Sequence, residues 1–181
     1  MQFIYFGIFD PPHLGHVRRI AAATERCQPS RTLLVPLDYY DGETPGRRII
    51  RTKMARALAE ATGAVYSDAG LALKDLQALV ARLAGADRAG TVVLFDPELP
   101  RGMQANDVDA TRAGVELLHD AALQLPHGLP RQDSVQRAIR GDEDGWTTMV
   151  PEGVEAIVRS FGLYGWSPAK GQPADDLYRR R

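Results

Sequence analysis

The chain has 181 residues, of which 44% are apolar and 25% charged, with a formal net charge of −1. That size fits one domain with a real hydrophobic core, and the near-neutral balance argues against a chain built to coat nucleic acid or an acidic membrane. Its single cysteine, Cys27, excludes an intrachain disulfide. No apolar run approaches the ~20 residues of a bilayer span, and no basic-then-apolar leader opens the chain, so a cytoplasmic protein is expected.

Residues 2–6 are mostly aromatic or β-branched and predict a short buried strand closed by Gly7. Asp10-Pro11-Pro12 forbids helix through the next turn. Apolar spacing at Leu14, Val17, Ile20 and Ala21 then predicts a helix over 14–26. A second strand is expected at 31–35, ended by Pro36, then a loop to Gly46 and a helix over 48–62 with Gly63 as C-cap. A short strand at 64–67, a helix near 71–84 and a buried strand at 91–95 follow. Residues 107–118 read as helix and 121–125 as strand. Asp133 or Ser134 offers an N-cap for a helix near 134–141, and Pro151 opens a last one through about Phe161. Strands alternating with helices imply an α/β fold with a doubly wound, mainly parallel sheet, whose ligands bind beyond the carboxyl ends of the strands. The domain is expected over 1–167, with 168–181 as a polar, flexible tail.

The segment Gly7-Ile8-Phe9-Asp10-Pro11-Pro12-His13-Leu14-Gly15-His16 carries the chemistry. It follows a strand and opens a helix, where free N–H groups and the positive dipole end attract phosphate. His13 and His16 are three apart and share one face of the first turn. Gly7 permits a sharp turn and close approach, and Gly15 leaves space for a nucleotide against the backbone. The same two histidines could also serve only to cap or pack the helix start.

This segment resembles the HxGH nucleotidyltransferase superfamily, and most of all its nicotinate or nicotinamide mononucleotide adenylyltransferases, whose signature reads strand, G-x-F-D-P-x-H-x-G-H, helix. Weaker similarities continue along the chain. Pro36 follows the second strand, Arg51-Thr52-Lys53-Met54 fits an R-x-x-M helix start, and Asp75 and Asp96 stand near two family aspartates. Met149 to Val154 resembles L-V-P-E-x-V, and Phe161 to Tyr164 resembles the family's ending. Arg137 falls where the phosphate-binding I-S-S-T-x-I-R motif has its Arg, with Ser134 in place of the Thr.

The resemblance implies a Rossmann-like nucleotidyltransferase fold and adenylyl transfer from ATP to a mononucleotide phosphate, with Mg²⁺ on the phosphates. It implies catalytic roles for His13 and His16, and nucleotide or phosphate contacts from Gly7, Ile8, Phe9, Asp10, Gly15, Ser134, Arg137 and Arg140. Acceptor contacts would come from Tyr39, Arg47, Arg48, Asp75 and Asp96. No metal-ligating protein residues are expected. The partners implied are a small-molecule nucleotide and a phosphorylated acceptor, with no nucleic acid and no membrane; a homo-oligomer stays open.

Departures from the pattern are equally specific. Ile8 stands where the family has a hydroxyl, Gln132 and Asp133 replace the two serines, and the loop after Pro36 lacks its Lys. Leu94 and Phe95 replace small residues before Asp96, where they would intrude on an incoming base. These departures keep two alternatives in play: transfer to another small phosphate acceptor, and a non-catalytic nucleotide-binding module of the same fold.

Overall fold

Strand β1 (Gln2–Gly7) is buried from Phe3 onward, and this is why it reads as an unbroken apolar run. The structure is a computed structural model that describes residues 1–38, 45–72, 75–141 and 145–167. β1 pairs in parallel with β2 (Arg31–Pro36) on one side and β4 (Thr91–Phe95) on the other. β3 (Val65–Tyr66) and β5 (Glu116–Leu118) complete a five-stranded parallel sheet in the order β3-β2-β1-β4-β5. The order reverses between β1 and β4, the topological switch point where sheets of this kind open a ligand crevice.

Alternate strand residues serve opposite faces. Ile4, Phe6, Leu33, Val35, Val93 and Phe95 pack with helix α3 (Leu76–Ala84). Phe3, Tyr5, Leu34, Val92 and Leu94 pack with α1 (Leu14–Cys27) and α2 (Pro45–Thr62). A third core joins Ile50 and Met54 of α2 to helix α5 (Gln132–Arg140) and helix α6 (Glu152–Phe161), closed by Trp146 and Leu163. The chain before α5 runs close against α1: a Cβ on Gly15 would lie 2.7 Å from the Pro130 carbonyl oxygen.

Several expectations need correction. The helix expected over 107–118 is a single turn, α4 (Ala110–Ala113), capped by Asp109 and ended by Gly114 at φ +73°. The chain then forms β5, because Glu116 to Leu118 find the free edge of β4, in register from Val92 to Leu94. The strand expected at 121–125 is absent: Asp120–Ala122 is a 3₁₀ turn, and Leu123 packs into the α1 side of the core. The stretch 71–84 is divided into a 3₁₀ turn (Ala69–Ala72) and α3, and α2 begins at Pro45 rather than 48. Ser134 lies in the first turn of α5 and is not its N-cap, which is Arg131. The expected tail, 168–181, lies outside the described residues. Among the described residues, no helix is long and apolar enough to cross a membrane.

Candidate active site

The loop from β1 to α1 folds back beneath itself. Phe9 takes φ +56° and turns its ring inward, edge-on to Tyr5 and to His16. A Cβ on Gly7 would lie 2.5 Å from that ring, and one on Gly15 would lie 2.7 Å from the His13 ring. Both glycines therefore make room for the protein atoms packed against them. Ile8 and Phe9 are core side chains, so any phosphate contact from them would come through the backbone. Asp10 is buried and ties the loop to three elements. Its carboxylate accepts from the Tyr164 hydroxyl and from Arg47 Nη2 at 3.4 Å, and its carbonyl from Gln136 Nε2 at 2.6 Å.

His13 and His16 come together, with ring centroids 3.8 Å apart and planes tilted by 34°. His13 is the N-cap of α1, and its Nδ1 accepts the Gly15 N–H at 3.1 Å. His16 Nδ1 accepts the His13 N–H at 3.0 Å. These bonds place the neutral-ring proton of both imidazoles on Nε2. The capping role and a donor role are thus compatible, since one nitrogen serves each. The two Nε2 atoms meet carboxylates: His13 lies 3.0 Å from Glu98 Oε2, and His16 lies 3.1 Å from Asp96 Oδ2.

The two carboxylates differ in character. Asp96 is enclosed, and also takes the Tyr5 hydroxyl and the Glu98 N–H. Burial alone would raise its pKa, but His16, the Tyr5 bond and Arg19 together hold it well below the usual carboxylate range. Glu98 is partly exposed; burial is again outweighed by the His13 bond and the Gln132 N–H, which lower it. Burial, then the neighbouring His16, bring His13 down to about 4. At neutral pH the His13–Glu98 contact is therefore a neutral imidazole N–H donating to a carboxylate.

His13, His16 and Glu98 bring three ligand-type atoms within 4.8 Å of one another. A metal on Nε2 would need the proton on Nδ1, but both Nδ1 atoms already accept backbone N–H bonds. The cluster is therefore arranged to donate hydrogen bonds rather than to ligate.

The other expected residues scatter around this centre. Arg47 and Arg140 line a cavity of about 680 Å³ with Asp10, Arg51, Gln136 and Tyr164. Arg48 pairs with Asp38 at 2.7 Å, beside the buried Arg51, which holds the same carboxylate and the Leu37 carbonyl. Arg137 points outward, 73% exposed, and pairs with Asp133 one turn back. The Ser134 hydroxyl is committed to the Arg131 backbone. Asp75 caps α3 by accepting the Ala78 N–H at 3.0 Å. Tyr39 lies outside the described residues. Leu94 sits in the core, and Phe95 stacks on Phe6 at 4.9 Å while also lining a smaller cavity with Asp96 and Asp120.

No family model matches the chain. A curated relative from Marinobacter nauticus, named as a probable nicotinate-nucleotide adenylyltransferase, is 29% identical over 218 aligned positions covering 95% of this chain and 100% of the relative. The chain is similar to the nicotinate-nucleotide adenylyltransferases. A solved structure from Vibrio parahaemolyticus, likewise named by assignment as such an adenylyltransferase, superposes with a TM-score of 0.56. It covers 90% of this chain and 94% of its own, at 18% identity, and so speaks for the fold. The Marinobacter likeness supports an enzyme of the nucleotidyltransferase kind, and the Vibrio likeness supports the Rossmann-like sheet alone.

Against this likeness to the adenylyltransferases, the site contains residues that sequence reasoning missed. Glu98 follows Asp96 by two residues at the carboxyl end of β4, a position where an acid could have been suspected. Gln136 lies four residues before Arg140, so the two share a face of α5. Tyr164 was noted only as part of a chain ending, and its contact with Asp10, 154 positions away, has no local signal.

Proposed function

We propose that the chain transfers the adenylyl group of ATP to a phosphorylated acceptor of the nicotinate or nicotinamide mononucleotide type, releasing pyrophosphate. One observation carries the reading. Two imidazoles, each held as an Nε2–H donor, stand together at the positive end of α1, past the carboxyl end of β1 at the switch point of the sheet. In the reaction an acceptor phosphate oxygen forms a bond to the α-phosphorus of ATP, and the bond to the pyrophosphate oxygen breaks. The attacking phosphate is already ionised, so catalysis reduces to positioning and charge stabilisation. Nε2–H donors suit developing negative charge. Arg47 and Arg140, at the cavity beside Asp10, suit a phosphate or carboxylate of the acceptor.

Mg²⁺ brought in with ATP would supply charge neutralisation on the triphosphate. The carboxylates beside the histidines, Asp10, Asp96 and Glu98, already accept bonds from protein donors. A second acceptor class is favoured by the two arginines on the cavity wall, Arg47 and Arg140, which would read a phosphate without reading a base. Pyrophosphate release with ATP, assayed across phosphorylated acceptors, decides between them. Fastest turnover on nicotinate mononucleotide supports the first reading, and turnover only on other phosphates supports the second. Silence across the whole panel would remove both.

A further inference from the structure

The mouth of the histidine pair already holds an anion, and it belongs to the chain. Glu98 Oε2 takes the His13 Nε2–H at 3.0 Å. Both carboxylate oxygens take the N–H of Gln132, the first residue of α5, at 3.1 and 3.0 Å, and Oε1 takes Arg131 Nε at 3.2 Å. The donors come from the starts of two helices and a guanidinium, a set that fits a phosphate oxygen as well as a carboxylate. Glu98 is also the displaceable member of the acid pair. Its side chain is 14% exposed, whereas Asp96 is 2% exposed and takes further bonds from Tyr5 and from the Glu98 N–H.

We propose that Glu98 is an internal occupant of the phosphate site, and that a polyphosphate binds by displacing its carboxylate from His13, Arg131 and Gln132. The inference rests on the phosphate-binding reading above and adds its regulation. Two anions cannot share these donors without strong repulsion, so the site is competent only in molecules whose Glu98 has turned away. Apparent affinity is lowered by that fraction.

The test is calorimetry with inorganic pyrophosphate and no acceptor, on the full chain and on Glu98→Ala and Glu98→Gln, each checked by thermal melting. Glu98→Ala should bind at least about tenfold more tightly than the unaltered chain, as expected when a mostly closed site is opened. Glu98→Gln should fall between, since it loses the charge and keeps an acceptor for the Gln132 N–H. Adding His13→Ala to Glu98→Ala should abolish the gain. A folded Glu98 variant that binds no tighter than the unaltered chain overturns the proposal. So does a pyrophosphate-bound structure of the unaltered chain in which Glu98 still holds His13. Tighter binding without turnover on any acceptor would sink the transferase reading and leave this inference standing. Turnover with unaltered affinity in the Glu98 variants would do the reverse.

Discussion

His16 and Asp96 form an enclosed contact, Nε2 to Oδ2 at 3.1 Å with each side chain only 2% exposed, beside the equally buried His13. Removing one partner of a buried pair costs about 3–5 kcal/mol, because the other is left uncompensated. Losing an N-cap costs about 0.5–2 kcal/mol. His16→Ala should therefore lower the melting temperature by on the order of 10 °C, and His13→Ala by clearly less. Calorimetric melts of the two variants check this, and equal losses would show that the Asp96 contact contributes little. His16→Ala is therefore an active-site probe that also disturbs the fold. The buried contact makes His13→Ala the cleaner one, with pyrophosphate release expected to fall by about 10²–10³.

Gly15→Ala tests the close approach of α1 to the chain before α5. Its Cβ would meet the Pro130 carbonyl oxygen at 2.7 Å and the His13 ring at 2.7 and 2.8 Å. The ring can shift more easily than the backbone, so His13 should leave its place on Gly15 and Glu98. Overpacking of this sort costs about 1–3 kcal/mol. Turnover should drop at least about tenfold, since misplacements near 1 Å are that damaging. Full activity in Gly15→Ala would mean that the His13 position is not critical.

Arg137 and Arg140 should part company. Arg137 is solvated and paired with Asp133, and such surface pairs contribute about 0–1 kcal/mol. Arg137→Ala should leave stability and turnover nearly unchanged. Arg140 lines the cavity with Asp10 and Arg47, so Arg140→Ala should raise KM for the phosphorylated acceptor by about tenfold, the loss of one charge-assisted bond. Steady-state kinetics of both variants decide. The reverse pattern would return the phosphate contact to Arg137.

Acid should destabilise the fold in a defined window. His13 is brought from 6.5 to about 4, so between those values the unfolded chain binds more protons, and stability falls as pH falls. Asp96 and Glu98, both lowered, act in the same direction at still lower pH. Denaturant midpoints should decline from pH 6.5 downward, with a His13 slope of up to about 1.4 kcal/mol per pH unit. The slope should be shallower in His13→Ala. A flat profile between pH 6.5 and 5 would contradict the buried, neutral state of His13.

The amino-acid sequence by itself determined the elements buried on both faces, β1, β2 and β4, because such strands are written as unbroken apolar runs. It also determined the β1-loop-α1 segment, whose turn, cap and paired histidines all lie within ten residues. Tertiary structure alone decided what has no local period. β5 is a strand because Glu116 to Leu118 meet the open edge of β4. The rotation of α5, set by Val135, Ala138 and Ile139 in the third core, turns Gln136 and Arg140 toward the cavity beside Asp10 and Arg137 into solvent. The partner of His13 came from Glu98, 85 positions away. Such pairings are products of packing, and a side chain's partner across the fold leaves no mark in its own neighbourhood of the sequence.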